Sequence, residues 1–167
     1  AVVGPGVALD AGRILEEIDA LSARGITVGE NLRISDRSHL VMPWHKRQDV
    51  ASEAALGSGK IGTTARGIGP CYADKMYRTT ALRAVDLLNP KHLREKIRQV
   101  AAFKTKLLAG CYGDTEPLDA NAITDEYLKY AERLRPNVCD TTMLLWKSMR
   151  DGKRLLFEGA NGMLLDV

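Results

Sequence analysis

The sequence predicts an α/β fold in which a predominantly helical middle region is flanked by short strands that belong to one larger central sheet. Apolar residues alternate or run together near both ends of the chain and recur at helical spacing between them. No internal repeat or low-complexity linker interrupts this order. The 167 residues, 45% of them hydrophobic and 27% charged, can form one sizeable core, so a single domain is expected.

Residues 1–60 are predicted to alternate strands and helices. Residues 1–3 predict the end of a buried strand, and Asp10 is the expected cap of a helix that Gly25 ends in a left-handed conformation. Alternating apolar residues then predict short strands at 26–28 and 32–34. Pro43 is expected to open the next helix, which runs to Ala55.

Residues 79–152 are predicted to be mainly helical. Three helices are expected, each with a cap at its start and a breaker at its end: Asn89-Pro90 to Gly110 and Gly113, Asp119 or Asn121 to Pro136, and Asp140 to Gly152. The basic residues of the first of these helices are interpreted as its solvated face: Lys91, Arg94, Lys96, Arg98, Lys104 and Lys106. Lys153 to Phe157 then predicts a return to strand.

The composition favours small anionic ligands over nucleic acid. The net charge of +3 is evenly spread, and 5% aromatic residues leave few platforms for base stacking. Cys71, Cys111 and Cys139 have no C-x-x-C arrangement, so neither a disulfide framework nor a zinc site is supported, and a reducing cytoplasm is expected. No apolar run approaches the roughly 18 residues of a membrane span.

The histidines of the chain are not predicted to bind metal. Their positions show no spacing typical of a metal site, so each is interpreted as a side chain that is satisfied in the core or solvated: His39, His45 and His92.

The stretch from Gly62 to Arg78 concentrates glycine, hydroxyl groups and cations. Gly62, Gly67 and Gly69 allow the backbone to approach a ligand closely, and donors lie between the first two of them: Thr63, Thr64 and Arg66. Pro70 is pre-organised for the first helical turn, so a helix is expected to begin there with its free N–H groups directed back at the loop. This arrangement predicts a phosphate-binding site.

The helix of this stretch carries further charge. Lys75 and Arg78 are expected to share a face, and Asp74, four residues before Arg78, could hold its guanidinium. The alternative interpretation is a surface turn with solvated charges, which is about as common for such a segment. A Walker A loop is not formed, because Ile68-Gly69 stands where that motif has lysine and a hydroxyl residue. Gly4-Pro5-Gly6 likewise lacks the third glycine of a dinucleotide-binding turn.

Three motifs resemble one enzyme family. Gly67-Ile68-Gly69-Pro70-Cys71-Tyr72, followed by Lys75 and Arg78, resembles the signature G-I-G-P-x-Y-x-x-K-x-x-R of adenylosuccinate synthetases, and Gly62 to Thr64 matches the Gly-Thr-Thr that precedes it. The segments 25–36 and 157–166 agree with the same family in the same order. The resemblance covers almost the whole chain.

The resemblance implies a function and a larger fold. Enzymes of the family have a P-loop-like synthetase fold and use GTP and Mg²⁺ to ligate aspartate to IMP, through a phosphorylated IMP, in the committed step toward AMP. The chain is then a central piece of such an enzyme, with the catalytic aspartate and histidine upstream of Ala1 and the GTP and Mg²⁺ ligands largely elsewhere, so the chain alone is expected to be inactive. Its parts would be a strand and helix part (1–60), an IMP-phosphate loop and helix (61–78), a helical part (79–152), and a strand and nucleotide loop (153–167).

Site residues follow from the same resemblance. Thr64 and Arg78 match the family's IMP phosphate ligands, and Lys75 matches the signature lysine, which is either catalytic or supports the site. Asn161 stands where many bacterial members have a glutamine that contacts the IMP base, and Ala65 replaces a frequent glycine. The family is homodimeric, and Arg78 is expected to complete the partner subunit's site, because a helix from Pro70 would carry Arg78 about 12 Å from its start.

Two other functions are compatible with parts of the pattern. A helical assembly module that binds no nucleotide would use the basic helix only as a solvated face. A generic phosphoryl-transfer domain would need a triphosphate site, which the failed Walker pattern argues against.

Overall fold

The computed structural model describes residues 1–60 and 62–159. Its strands are short and form two parallel sheets. The first sheet has the order β1, β3, β5, with bounds Val2–Val3, Arg33–Ser35 and Val138–Cys139. The second pairs β2 (Ala8–Leu9) with β4 (His39–Leu40). Parallel strands need long crossover connections, and helices of the chain form the connections between β1, β3 and β5.

The described residues contain six α-helices: α1 Ala11–Ala23, α2 Pro43–Ala55, α3 Ile68–Tyr77, α4 Pro90–Tyr112, α5 Ala120–Leu134 and α6 Thr141–Arg150. Short 3₁₀ turns lie at Gly57–Gly59, Ala84–Leu88 and Arg135–Asn137. The expected caps start four of the helices, since side-chain oxygens accept hydrogen bonds from first-turn amides: Asp10 for α1, Asn89 for α4, Asp119 for α5 and Asp140 for α6. The mixed α/β fold with a helical middle region is therefore confirmed.

One hydrophobic core joins the strands to α4 and α5. Ile34 on β3 and Trp44 on α2 are fully buried in it, together with Leu93 and Ile97 on α4. From α5, Tyr127 enters the same core and donates its hydroxyl to the carbonyl of Val41 at 2.7 Å, so its one polar group is satisfied.

Two expected strands are absent from the described residues. At 26–28, the amide of Ile26 donates to the carbonyl of Leu21 at 3.0 Å and closes the end of α1, where Gly25 takes the expected left-handed φ of 77°. At 153–157, the amide of Lys153 closes α6 in the same way by donating to Ser148. The residues after it pair with none of the described strands, and Leu156 is 97% exposed.

Two helix ends also differ from the prediction. Helix α3 begins at Ile68 and not at Pro70, so the proline lies inside its first turn. Helix α4 runs through Gly110 to Tyr112, because glycine in a helix lowers stability by only about 1 kcal/mol and the packed apolar face outweighs that. Gly113, with a φ of 71°, ends it.

No helix within residues 1–60 and 62–159 is both long and apolar enough to cross a bilayer.

His39 on β4 is neither satisfied nor solvated, contrary to the expectation for the histidines. It is 5% exposed, and neither ring nitrogen has a hydrogen-bond partner among the described residues. Burial lowers the pKa of His39 to about 4, with help from the charges of Arg83, Lys75 and Lys96 and against the opposing charge of Asp86.

This histidine predicts a loss of stability in acid. Between pH 6.5 and 4, His39 is protonated in the unfolded chain but still neutral in the folded one, so acid favours unfolding. The free energy of unfolding is therefore expected to fall by up to about 3 kcal/mol as the pH drops from 6.5 to 4. Above pH 6.5 His39 is neutral in both states and has no such effect. Urea unfolding of the parent and of His39→Gln across this range measures the difference in slope. Equal acid losses in the parent and His39→Gln would contradict the prediction.

Candidate functional site

The glycine loop that precedes α3 has a left-handed backbone at three positions. The φ angles are 86° at Gly62, 54° at Ala65 and 75° at Gly67. Ala65 therefore occupies a conformation that suits glycine, at a cost of about 1–2 kcal/mol for a residue with a Cβ atom. Inside the loop, the hydroxyl of Thr63 accepts a hydrogen bond from the amide of Ala65 at 3.2 Å. Ala65 thus has a left-handed backbone although it carries a Cβ atom.

Both ends of this loop are bonded to carboxylates on α2. The amide of Gly67 donates to Oδ2 of Asp49 at 2.9 Å, in a buried position, and the amide of Gly62 donates to Oε1 of Glu53 at 2.6 Å. Gly67 also lies directly against the α2 backbone, because a Cβ atom added there would be 2.7 Å from backbone atoms of His45 and Lys46. Only glycine fits at this contact.

A buried ionic cluster joins α2, α3 and α4. Asp74 on α3 contacts Nε2 of His45 at 2.8 Å and Nζ of Lys104 at 2.7 Å, and Lys104 also donates to Gln48 at 3.0 Å. Nδ1 of His45 accepts from the amide of Met42, so the proton of a neutral ring lies on Nε2 and points to Asp74.

The charges of this cluster balance one another. Burial by itself would raise the pKa of Asp74, but the hydrogen bonds from His45 and Lys104 outweigh it and lower that pKa. Burial lowers the pKa of His45, and the Asp74 carboxylate only partly opposes this effect. Two sequence expectations are therefore wrong. Lys104 is buried and not part of a solvated face, and the side chain of Asp74 pairs with His45 and Lys104 and not with Arg78.

Arg78 lies in a strained turn at the end of α3. Its φ and ψ angles are 68° and −45°, its amide donates to the carbonyl of Asp74 at 2.8 Å, and the amide of Thr79 donates to the carbonyl of Tyr77 at 2.8 Å. This is a γ-turn of the rare, strained type. The side chain of Arg78 is exposed. A strained, exposed arginine is a candidate for a functional role.

Lys75 lies over the ring of Tyr72, and Tyr72 lines a cavity. Its Nζ atom is 5.5 Å from the centre of the Tyr72 ring, and the hydroxyl of Tyr72 donates to the carbonyl of Gly6 at 2.8 Å. The cavity, of about 670 Å³, is lined by Tyr72, by residues 4–7 and by residues 154–159. Tyr72 of the signature motif and the start of the 157–166 motif therefore line the same cavity.

The candidate residues Thr64 and Arg78 lie at opposite ends of α3. Thr64 is exposed in the glycine loop, ahead of α3, while Arg78 lies beyond the other end of that helix. A second cavity, of about 700 Å³, meets the loop at Ala65 and Arg66. Asn161 lies outside the described residues. Among those residues, no group of three His, Cys, Asp or Glu side chains could hold a metal ion.

The sequence did not predict the two α2 carboxylates, of Asp49 and Glu53, that bond to the ends of the loop. Asp49 and Glu53 are four residues apart in α2 and therefore share a face, and the mixed polarity of that helix was the available signal. Their partners are backbone amides, which leave no trace in a side-chain pattern.

A family model, curated relatives and a solved structure that resemble this chain all belong to one family. The family model for adenylosuccinate synthetase matches residues 1–167. The adenylosuccinate synthetase of Heliobacterium modesticaldum is 48% identical over 99% of this chain and 38% of its own length, and that of Thermobifida fusca is 45% identical over 99% and 38%. The fully ligated adenylosuccinate synthetase structure from Plasmodium falciparum matches 98% of this chain and 37% of its own, with a TM-score of 0.85 and 28% identity. The chain thus spans about 38% of the length of the curated relatives it matches.

Proposed function

Because this chain belongs to the adenylosuccinate synthetase family, we propose that the full-length protein containing it ligates aspartate to IMP with GTP and forms adenylosuccinate on the route to AMP. The observation that carries the proposal is the left-handed glycine loop that presents Thr64 ahead of α3. Such a loop at a helix start offers hydroxyl and backbone donors to an anion.

In this proposal the loop binds the phosphate of IMP. Thr64 donates its hydroxyl to a phosphate oxygen, and the hydroxyl oxygen of Thr63 accepts the amide of Ala65 and so stabilises the loop. Asn161 contacts the purine edge, to which a planar amide can both donate and accept. Lys75, whose Nζ atom lies over the Tyr72 ring, contributes its positive charge to the site, either in catalysis or in support of it.

Arg78 is assigned to the IMP phosphate of a partner subunit in a homodimer. Helix α3 has ten residues and is about 15 Å long, so it separates Arg78 from the Thr64 loop of the same chain. Apolar side chains next to Arg78 are exposed, and two of them, Tyr77 and Phe103, stack with ring centres 6.4 Å apart. An exposed apolar surface beside the arginine suits contact with a second copy related by a two-fold axis.

The remaining components of the proposal are assigned by analogy with the family. The described residues provide no ligand set for Mg²⁺, so no step is derived through the metal or through GTP. Residues 61–78 form the IMP-phosphate part, between a strand and helix part at 1–60 and a helical part at 79–152, and residues 153–167 belong to the nucleotide loop. We assign the enzyme to the cytoplasm, where a buried thiol such as Cys71, whose pKa burial raises to about 12, stays reduced and unreactive.

Binding of IMP and of inosine tests this assignment. In the full-length enzyme, Thr64→Ala is expected to weaken IMP binding about tenfold and to leave inosine binding unchanged, since inosine lacks the phosphate. Asn161→Ala is expected to weaken both ligands, because both carry the base.

Thr64→Ser is the matched control, because it keeps the hydroxyl group and should retain IMP binding. Titration calorimetry measures all three variants. Unchanged IMP binding by Thr64→Ala would show that the loop does not bind the phosphate. It would favour the alternative function, a helical assembly module that binds no nucleotide.

A further inference from the structure

We propose that Asp49 and Glu53 are positioning residues that fix the two ends of the phosphate loop, residues 62–67, in the shape that receives phosphate. The inference rests on the proposed function, because it concerns how the loop assigned to IMP is held. Neither side chain is part of the family signature at 62–78.

The two contacts are one helical turn apart and act on opposite ends of the loop. Asp49 accepts from the amide of Gly67 at 2.9 Å and Glu53 accepts from the amide of Gly62 at 2.6 Å. Residues 49 and 53 lie on one face of α2, so one rigid element sets the separation of the loop ends. Both are hydrogen bonds from an N–H group to an ionised acceptor, which are stronger than neutral ones.

The Asp49 contact is the stronger of the two because it is buried. Asp49 is 7% exposed, and the backbone of Gly67 is packed against the α2 backbone at His45 and Lys46. Without the carboxylate, the amide of Gly67 would be left buried and unsatisfied. Glu53 is only partly buried, so its contact competes with water and contributes less.

Helix α2 is itself held in place on the same side. His45, one turn before Asp49, bonds to Asp74 on α3, which in turn bonds to Lys104 on α4. The loop is therefore attached to an element that is tied to its neighbours, and binding of phosphate does not have to order the loop ends. Pre-organisation of this kind strengthens binding without adding a contact to the ligand.

Removing the negative charge of these side chains distinguishes a positioning role from a direct electrostatic effect on the phosphate. A carboxylate near a bound phosphate opposes binding through its charge, whereas it favours binding by accepting the loop amide. Replacing Asp49 by asparagine removes the charge and keeps an acceptor oxygen. A positioning role thus predicts that asparagine retains function and alanine does not.

The experiment compares IMP and inosine binding, together with the KM for IMP and kcat, in the full-length enzyme. Asp49→Ala is expected to weaken IMP binding and raise the KM for IMP about tenfold or more, with inosine binding unchanged and kcat within about threefold. Asp49→Asn is expected to stay within about threefold of the parent. Glu53→Ala, which leaves the exposed amide of Gly62 free to bond with water, should weaken IMP binding about threefold, and Glu53→Gln should restore it.

Asp119→Ala is the matched control for stability, because it removes the N-cap of α5, which is far along the chain from the loop. It should lower the melting temperature without weakening IMP binding. The proposal is overturned if Asp49→Ala weakens IMP and inosine equally, if Asp119→Ala has the same effect as Asp49→Ala, or if asparagine fails to replace aspartate. If Thr64→Ala weakens IMP binding while the Asp49 and Glu53 variants do not, this inference alone fails. If Thr64→Ala also has no effect, the proposed site fails with it.

Discussion

Gly67→Ala is expected to destabilise the protein by about 3 kcal/mol or more and to abolish measurable IMP binding in the full-length enzyme. The new Cβ atom would lie 2.7 Å from the α2 backbone, which has no flexible side chain there to move away. Overpacking of this kind costs about 1–3 kcal/mol, and the left-handed φ of 75° adds about 1–2 kcal/mol for alanine. Moving the loop to relieve the contact would break the hydrogen bond to Asp49.

Gly69→Ala is the matched control for that substitution. Gly69 lies two residues further on in α3, its φ is not left-handed, and a Cβ atom there would meet nothing within 4 Å. Alanine should therefore leave stability unchanged or raise it by about 0.5–1 kcal/mol. Urea unfolding of both variants measures the difference in stability, and IMP titration of Gly67→Ala measures the loss of binding. Similar losses of stability for Gly67→Ala and Gly69→Ala would show that the contact with α2 is unimportant.

Arg78→Ala is expected to raise the KM for IMP about 100-fold, and Arg78→Lys about tenfold. A guanidinium can bind phosphate through two parallel hydrogen bonds, which lysine cannot reproduce. Steady-state kinetics of the full-length enzyme at varied IMP concentration measures both changes.

Arg78→Gly separates the functional role of this residue from a structural one. Arginine in this left-handed turn holds a strain of about 1–3 kcal/mol, which glycine relieves. The glycine variant should therefore be at least as stable as the parent while binding IMP as poorly as Arg78→Ala. A glycine variant that loses stability would mean that the arginine side chain holds the turn.

Local signals in the sequence predicted much of the fold. Asp10, Asn89, Asp119 and Asp140 cap their helices as expected, because a cap needs only its own first turn. Pro43 likewise opens α2 with the predicted bounds.

Contacts between distant elements could not be predicted in the same way. Lys104 lies in a row of basic residues that are typical of a solvated face, and only the tertiary approach of Asp74, thirty residues earlier, makes its burial favourable. Gly67 was recognisable as a turn residue, but its close approach to α2 depends on how two helices pack. The strand expected at 153–157 lacks a partner among the described strands, and a strand needs one to form its hydrogen bonds.

The candidate site was predicted from a family resemblance and only partly from physics. A glycine loop with hydroxyl groups before a helix is recognisable from composition, and the structure has three left-handed residues in that loop. The strain at Arg78 was not predictable, since arginine has no preference for such a turn. The roles of Thr64, Lys75, Arg78 and Asn161 stay proposals.

The most direct test of a phosphate site shared between two subunits mixes two full-length variants, Thr64→Ala and Arg78→Ala, each impaired alone. If Arg78 serves the partner subunit, every heterodimer has one site with both residues intact and one with neither. Random mixing should then restore about a quarter of the parent activity at low IMP concentration, because half of the dimers are mixed and each has one intact site. No recovery, with heterodimers demonstrated by native mass spectrometry, would mean that Thr64 and Arg78 act within one chain or that this segment does not hold the phosphate.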